Sequence, residues 1–550
     1  MSSVAVVTHA LTAAPGGLPR RTIAVLLFLA VFGLYGLTAG TPVGYEDETA
    51  AISEGLVKTG QLRVIPGTPL TDQWITGRGG HYYARAGLSQ PILEAPFYWV
   101  GEQLDRIAAN GGSYRWRKDV LRLYDPAIAA LTVLAIFGLL ALRGVPERRA
   151  LGVAGLCAVG TLIWPYSKVG METTLMATVA LSILAAAWAA ARPSTCRFAL
   201  AGLAAAATAN CKPYGALLVV GVIPLLAGPL GELPKATRVR ALAAFAVPLV
   251  VGLAAIGWYN WYRTGSAANF VDAHYWALLA TPISAIGLFL SPGKGLLLYS
   301  PLVVLGLLTM RALWRVDGGL ALAIIVTVGL NTIVIAASPV WADDTWGPRY
   351  IVPSAWLLVL PIAWWARGRL GIWALSFFAL LGVCIQLAGV IPRGDASITA
   401  ARALAKEPVY AFPHINFHVW DFRHDFLHPP SVPVAPVTYG DDGPRWIPQA
   451  SPLLFQLELI AAYAKEELTG SGFVVSYRPF RGNATTIDLR RAEYRFALPD
   501  FWWMVGPRSN GEELLALLLG ALTFGCGVTL LRGRLRPSHA RARAAAPLPG

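Results

Sequence analysis

The chain has 550 residues, of which 55% are hydrophobic and 14% are charged, and its formal net charge is +14. A soluble globular domain carries about 25% charged residues, so this composition excludes an ordinary soluble protein. The five cysteines show no metal-binding or redox spacing and lie in or beside apolar segments, which excludes a disulfide-based scaffold.

Apolar stretches of roughly 20 residues, long enough to cross a bilayer, recur along most of the chain. They predict an all-α polytopic membrane protein with about twelve transmembrane helices. The predicted spans lie near residues 22–40, 124–143, 150–165, 171–190, 197–210, 213–229, 240–257, 295–311, 319–337, 351–366, 370–391 and 512–532. A further stretch, 86–107, carries four Gln and Glu side chains and is better interpreted as an interfacial helix than as a span.

The charge distribution predicts the orientation. If both termini are cytoplasmic, the inner segments hold 19 of the 45 basic residues but only three of the 31 acidic ones. A positive-inside bias of this size supports that topology, and it accounts for the net charge without a nucleic-acid partner. The first apolar run is longer than the roughly 7–15 residues of a signal peptide, so an uncleaved first helix is predicted.

This topology divides the chain into five parts. They are a cytoplasmic N-terminus (1–21), a transmembrane module with a large first outer loop (22–391, loop 41–123), a second outer region (392–511), a last helix (512–532) and a basic cytoplasmic tail (533–550). Within the second outer region, residues 472–492 have strand-like composition around a turn at Arg481-Gly482-Asn483. A small mixed α/β outer region is therefore predicted.

An acid cluster, Tyr45-Glu46-Asp47-Glu48, follows the first span. Carboxylates are costly near hydrocarbon, so acidic groups at the mouth of a helix bundle indicate a functional site. The alternative is that they only cap a helix, since acidic residues suit a helix N-terminus. The residues from Asp47 to Lys58 predict a short amphipathic helix at the interface.

Four further motifs place cations at the outer edges of spans, on the same side as the acid cluster. They are Trp164–Lys168 with Glu172 following, Asn210–Pro213, Ser291–Gly295 and Trp341–Tyr350. A single cation at such a position usually extends to lipid headgroups, which is the alternative to a site. The Ser-Pro-Gly-Lys-Gly segment lacks the spacing of a nucleotide-binding loop, but glycines beside a lysine expose backbone N–H groups that suit a phosphate.

Acids and cations on one face suit a reaction between a hydroxyl and a sugar linked to a lipid phosphate. A carboxylate removes the proton of the acceptor hydroxyl. Cations stabilise the phosphate that leaves.

The chain resembles the GT-C class of integral-membrane glycosyltransferases. The resemblance rests on the acid cluster and the cation motifs described above, and on Tyr82–Gln90, Asn260–Ser266, Ser291–Pro301 and Trp346–Tyr350. The class includes the protein O-mannosyltransferases and the lipid A aminoarabinose transferase, and the resemblance covers most of residues 22–391. It implies inverting transfer of a monosaccharide from a polyprenyl-phosphate donor to an extracytoplasmic glycan, glycolipid or protein. The Glu-Lys-Pro element of the aminoarabinose transferase is missing from the first outer loop, so the acceptor stays open.

The resemblance also implies roles for individual residues. Asp47 is the candidate general base, with Glu46 and Glu48 as support. The candidate lipid-phosphate contacts are Arg85, Lys294, Arg349, Lys168 and Lys212. The candidate sugar or acceptor contacts are His81, Tyr83, Asp343 and Asp344.

No cofactor is predicted with certainty. The spacing of His414 with His418, and of His424 with His428, suits a divalent metal if the segment is helical. The prolines around this segment and its interleaved aromatic residues favour ordinary packing instead. The Ala-, Gly- and Arg-rich composition is typical of a GC-rich bacterial genome, so the expected location is a bacterial cytoplasmic membrane with the active site on the extracytoplasmic face. Decaprenyl-phosphate arabinose is then one candidate donor.

Three other functions stay open at this point. A glycan polymerase or ligase also uses lipid-linked sugars, but it does not require an acid cluster directly after the first span. A flippase for lipid-linked sugar predicts charges at mid-membrane and often a two-fold repeat. A non-catalytic receptor or assembly factor leaves the clustering of acids and cations on one face unexplained.

Overall fold

The computed structural model describes residues 18–40, 45–67, 75–85, 87–108, 116–170, 172–269, 281–291, 293–338, 345–365, 368–392, 452–469, 474–477, 485–488, 499–504 and 510–535. Among these residues, eight helical stretches are long and apolar enough to cross a membrane. They are Arg20–Thr38, Trp116–Leu142, Thr173–Ala191, Gly215–Glu232, Lys235–Thr264, Gly318–Ala336, Arg369–Val390 and Gly511–Gly533. The chain is therefore a helical, multi-pass membrane protein, as predicted.

The described helices are numbered in chain order. They are α1 (Arg20–Thr38), α2 (Tyr45–Thr59), α3 (Ser89–Ala108), α4 (Trp116–Arg122), α5 (Tyr124–Leu142), α6 (Glu147–Gly160), α7 (Ile163–Val169), α8 (Thr173–Ala191), α9 (Thr195–Ala209), α10 (Gly215–Leu218), α11 (Ile223–Glu232), α12 (Lys235–Thr264), α13 (Thr281–Leu290), α14 (Leu296–Tyr299), α15 (Leu302–Val316), α16 (Gly318–Ala336), α17 (Val352–Ala355), α18 (Arg369–Val390), α19 (Pro452–Thr469) and α20 (Asn510–Leu535). Short 3₁₀ segments, Val219–Val222, Arg349–Ile351 and Trp356–Trp364, continue α10 and flank α17.

The predicted count of twelve spans is not confirmed, because four of the predicted spans are short or interrupted helices. The span predicted at 150–165 is divided between α6 and α7 at Thr161, whose backbone is extended. The span predicted at 295–311 is interrupted at Pro301, between α14 and α15, where proline supplies no backbone N–H. The remaining two are α9, with 15 residues, and the 3₁₀-rich segment around α17.

Small residues allow two pairs of helices to pack closely in the bundle. Helix α1 packs along α20, and α9 packs along α12. A Cβ added to Gly33 would lie 2.5 Å from Thr523 Oγ1, and one added to Gly252 would lie 2.5 Å from the Cβ of Ala206. Small residues let helix backbones approach this closely in a membrane. The apolar part of α8 is 67% buried and that of α12 only 6%, so α8 is central and α12 faces lipid.

Helix α3 carries its polar side chains inward and its apolar side chains outward. Glu94 and Tyr98 are buried against the protein, whereas the exposed face carries Ile92, Leu93, Trp99, Val100 and Ile107. Such an arrangement suits a helix whose outer face contacts lipid. It agrees with the interfacial helix predicted at 86–107.

Ion pairs link neighbouring segments at one end of the bundle. At this end, Arg20 Nε lies 2.9 Å from Glu147 Oε1, and Arg143 Nε lies 3.2 Å from Asp317 Oδ2. The positive-inside bias of the sequence predicts that this end faces the cytoplasm. At the opposite end of the bundle, α1 ends and α2 begins.

Two short antiparallel strand pairs accompany the helices. Strands β1 (Ile75–Thr76) and β2 (Tyr82–Tyr83) pair antiparallel in the first outer loop. Strands β3 (Val474–Tyr477) and β4 (Thr485–Asp488) pair antiparallel in the second outer region, with Val474 opposite Asp488. Both strands lie within residues 472–492, where the composition is strand-like, and the predicted turn lies outside the described residues.

A buried lysine joins the two ends of the second outer region. Lys168 Nζ lies 3.0 Å from Asp500 Oδ2, and both side chains are 1% exposed. The same ammonium donates to the carbonyls of Val390, Pro392 and Asp500 at 2.8, 3.0 and 2.7 Å. The backbone N–H of Asp500 donates to the carbonyl of Ile391 at 2.8 Å. The chain therefore leaves and re-enters the bundle at one point.

Replacing Asp500 with asparagine tests this junction. The amide keeps an acceptor oxygen, and Lys168 keeps its three carbonyl acceptors, so only the charge-assisted part of one hydrogen bond is lost. We expect the free energy of unfolding to fall by about 0.5–2 kcal/mol, the difference between a charge-assisted and a neutral hydrogen bond. Thermal unfolding in detergent, followed by tryptophan fluorescence, measures the change, and an unaltered transition would show that this buried pair does not stabilise the protein.

Candidate functional site

The acid cluster forms the start of α2. The predicted helix from Asp47 to Lys58 is present as Tyr45–Thr59, so Glu46 and Asp47 lie in its first turn. Glu48 is 1% exposed, and its Oε2 accepts the backbone N–H of Arg85 at 3.2 Å. The acid-bearing turn is thereby held beside the loop that carries Arg85.

Helix α2 is fixed on α3 through hydroxyl groups. Ser53 Oγ donates to the carbonyl of Pro91 at 3.0 Å and lies 3.3 Å from Glu94 Oε2. Gln90 Nε2 donates to Thr49 Oγ1 at 3.1 Å. The position of the acid cluster therefore depends on the outer-loop helices as a unit.

The fourth acid of α2, Glu54, forms a partly exposed cluster. It accepts from Lys58 Nζ at 2.6 Å and from the Tyr98 hydroxyl at 2.8 Å. Desolvation acts to raise the pKa of Glu54, but the hydrogen bonds from Lys58 and Tyr98 outweigh it and the pKa is lowered. Glu54 is therefore an ionised partner of Lys58 and provides a control for the acids at the helix start.

The loop that carries Arg85 is also held from α12. Arg263 is 5% exposed, and its Nη1 donates to the carbonyls of Ala84 and Arg85 at 2.8 and 3.2 Å. Its Nη2 donates to Asn260 Oδ1 at 2.7 Å. Glu48 and Arg263 thus bind the same peptide segment from opposite sides. Sequence reasoning included Arg263 in a motif but not among the site residues.

This loop borders a small cleft that is open to solvent. The other walls are the end of α9, the turn that follows it and the last two turns of α12. Three cations line it, together with apolar and neutral polar groups: Arg85, Lys212, Arg263, Leu88, Ala209, Pro213, Ile256, Asn210, Tyr259 and Asn260. The cleft combines the features that an anionic group on an apolar chain requires.

Glu172 brings two of the predicted phosphate contacts together. Its carboxylate is fully buried, lies 3.2 Å from Arg349 Nε and forms an ion pair with Lys212. The Tyr214 hydroxyl donates to its other oxygen at 2.9 Å. The ring of Tyr350 lies against both cations, with its centroid 5.6 Å from Lys212 Nζ and 4.9 Å from Arg349 Cζ. The sequence placed Glu172 beside a motif but did not indicate this role.

The loop at Lys294 differs from the prediction. Ser291 Oγ accepts the backbone N–H groups of Gly293 and Lys294 at 3.3 and 3.2 Å, and the carbonyl of Ser291 accepts that of Gly295 at 2.6 Å. The expectation that these N–H groups are exposed to a phosphate is wrong, because Ser291 closes the turn on itself. Lys294 Nζ donates to the carbonyl of Thr345, so the lysine joins this loop to the segment that carries Arg349.

The remaining predicted residues are dispersed. Lys168 is the buried ammonium described above, so its contacts favour a structural role, and its phosphate contact stays a prediction. His81 is exposed, and Tyr83 is buried against Tyr262 with its ring edge-on at 5.7 Å between centroids. Burial raises the pKa of the Tyr83 hydroxyl. The others lie outside the described residues: Asp343, Asp344, His414, His418, His424 and His428.

Comparison with known proteins gave few matches. No family model and no curated protein matches the chain. Among solved structures, the chain is similar to the crystal structure of ArnT from Cupriavidus metallidurans bound to undecaprenyl phosphate. The sequence identity is 13%, the match covers 94% of this chain and 77% of that chain, and the TM-score is 0.42.

Proposed function

We propose that the protein is a membrane glycosyltransferase that moves a monosaccharide from a polyprenyl-phosphate donor to an acceptor hydroxyl on the extracytoplasmic side. The acceptor is a glycan, a glycolipid or a protein. The observation that carries the proposal is the cleft, where Arg85 and Lys212 border the same opening as apolar side chains. The acid-bearing turn of α2 is held against this opening through Glu48.

The proposed reaction is a single displacement at the anomeric carbon. Asp47 accepts the proton of the acceptor hydroxyl while the oxygen of that hydroxyl forms the new bond. The bond between the anomeric carbon and the phosphate oxygen breaks, and its electron pair leaves with the lipid phosphate. Arg85 and Lys212 stabilise the negative charge on the leaving phosphate. The configuration of the sugar is therefore inverted.

Within this scheme the other charged residues hold the reacting groups in place. Glu48 is buried and binds the backbone of Arg85, so its role is to position the loop. Arg263 fixes the same loop from α12, and Glu172 holds Lys212 next to Arg349. These assignments leave Asp47, with Glu46 beside it, as the acids proposed to face the acceptor.

Binding of undecaprenyl phosphate tests the phosphate site. We expect the purified protein to bind undecaprenyl phosphate more tightly than undecaprenol, because the neutral lipid has no charge for the cations to contact. Arg85→Gln should weaken phosphate-lipid binding by about 1.5–3 kcal/mol, which is at least about tenfold, since a charge-assisted hydrogen bond is lost. Tryptophan fluorescence titration in detergent measures both lipids.

Arg106→Gln is the matched control, because Arg106 lies in the same outer loop with its side chain 66% exposed and paired with Glu102. An exposed ion pair of this kind contributes little to stability. The Arg106→Gln variant should therefore bind undecaprenyl phosphate as tightly as the wild type does. Equal binding of both lipids by the wild type would contradict the proposal. Movement of labelled lipid-linked sugar across vesicles, without formation of a glycosidic bond, would favour a flippase instead.

A further inference from the structure

Two side-chain oxygens at the cleft have no hydrogen-bond partner among the residues that the structure describes. They are Asn210 Oδ1 and the hydroxyl of Tyr259. Both residues line the cleft, and their exposed fractions are 9% and 2%. A buried polar atom that lacks a partner costs about 1–3 kcal/mol. Two such atoms beside one opening therefore indicate a ligand that supplies the partners.

The orientation of the Asn210 amide follows from its neighbours. Its Nδ2 donates to the carbonyls of Ala206 and Gly252 at 2.9 and 2.8 Å. Both partners are acceptors, so the amide must present its nitrogen to them and turn its oxygen away. The unpartnered atom of this lining residue is therefore a buried hydrogen-bond acceptor.

The Tyr259 ring is held in place by its surroundings. The guanidinium of Arg263 lies 4.3 Å from the ring centroid, and the ring of Tyr262 stacks at 6.4 Å between centroids. These contacts fix the plane of the ring and leave the hydroxyl at its tip. A phenol hydroxyl both donates and accepts a hydrogen bond.

These two groups suit a different part of the ligand than the cations do. An ionised phosphodiester offers only acceptor oxygens, which suit Arg85 and Lys212 but are repelled by an amide oxygen. Asn210 Oδ1 requires a ligand that donates a hydrogen bond. A ligand that provides partners for both the cations and the two side-chain oxygens therefore carries hydroxyl groups next to an anionic group.

We propose that Asn210 and Tyr259 bind hydroxyl groups of the donor's sugar and help to determine which sugar is accepted. The inference rests on the proposed function and extends it, since it places the sugar of the donor in the cleft beside the donor's phosphate. A site that hydrogen-bonds a substrate hydroxyl discriminates strongly against a ligand that lacks it.

Tyr259→Phe is the cleanest test, because it removes one hydroxyl and keeps the ring against Arg263. The probes are undecaprenyl phosphate and two derivatives that carry one mannose or one arabinose. We expect Tyr259→Phe to weaken binding of the preferred sugar lipid about 3- to 10-fold, the value of one neutral hydrogen bond, and to leave binding of undecaprenyl phosphate unchanged. Tyr262→Phe, on the adjacent ring, should leave both affinities unchanged.

Deoxy derivatives of the preferred sugar lipid test Asn210, whose own substitution would also break two hydrogen bonds to the backbone. The derivative that loses affinity equally in the wild type and in Tyr259→Phe identifies the hydroxyl bound by Asn210. The inference is overturned if Tyr259→Phe weakens both lipid classes equally, if it weakens neither, or if no deoxy derivative loses affinity. Equal binding of undecaprenol and undecaprenyl phosphate by the wild type would instead overturn the proposed function itself.

Discussion

Asp47→Asn should lower kcat for sugar transfer by about 10²–10⁴-fold, the usual contribution of a positioned general base. Asparagine has nearly the same shape as aspartate, but its amide cannot take up the acceptor's proton. Binding of undecaprenyl phosphate should be unchanged, because the proposed phosphate contacts are Arg85 and Lys212. Initial rates with a radiolabelled polyprenyl-phosphate sugar and membrane or cell-wall acceptors measure the loss.

Two variants of the same helix serve as controls. Glu54→Gln removes an acid that pairs with Lys58 at 2.6 Å, so its transfer rate should equal that of the wild type. Glu48→Gln keeps an oxygen that accepts the Arg85 N–H, so its effect should be smaller than that of Asp47→Asn and should appear in lipid binding. Full transfer by Asp47→Asn, with normal thermal stability, would reject the general base and return the acid cluster to a helix-capping role.

The spans were predictable from sequence where the bilayer alone sets their length. An apolar run of roughly 20 residues is required to cross the hydrocarbon, and α1, α8 and α12 meet that requirement. The interruptions at Thr161 and Pro301 were not predicted, because each lies within a stretch that is apolar on average. Hydrophobic length does not report a local break in backbone hydrogen bonding.

Some residues that line the cleft or contact Glu172, such as Arg85, Lys212 and Arg349, were candidates in the sequence, but their pairings were not predicted. Lys212 and Arg349 are single cations at span ends in the sequence, 137 positions apart by their numbering, and only the fold brings both to Glu172. Asn210 begins one of the predicted motifs but was given no role of its own, and Tyr259 gave no signal, because a polar residue near a span end is common. Their significance depends on which hydrogen bonds the fold leaves unformed, and a sequence does not contain that information.

Glu172→Leu should lower the free energy of unfolding by about 3–5 kcal/mol, the usual cost of removing one partner from a buried ion pair. The carboxylate is fully buried and shared by Lys212, Arg349 and Tyr214, so its loss removes the common acceptor of three side chains. Glu172→Gln keeps one acceptor oxygen, so its free energy of unfolding should lie between those of the wild type and Glu172→Leu. Thermal and denaturant unfolding in detergent measure the series.

A double-mutant cycle shows whether Lys212 and Glu172 act as a pair. Lys212→Met in the Glu172→Leu background should cost less than in the wild type, with a coupling of about 0.5–3 kcal/mol. Undecaprenyl phosphate should also raise the unfolding temperature of Glu172→Leu more than that of the wild type, because the phosphate supplies an anion close to Lys212 and bound ligand stabilises the folded state. Additive effects on unfolding would show that Lys212 and Glu172 do not act as a pair. Equal stabilisation of both proteins by the lipid would separate the Glu172 cluster from the phosphate site.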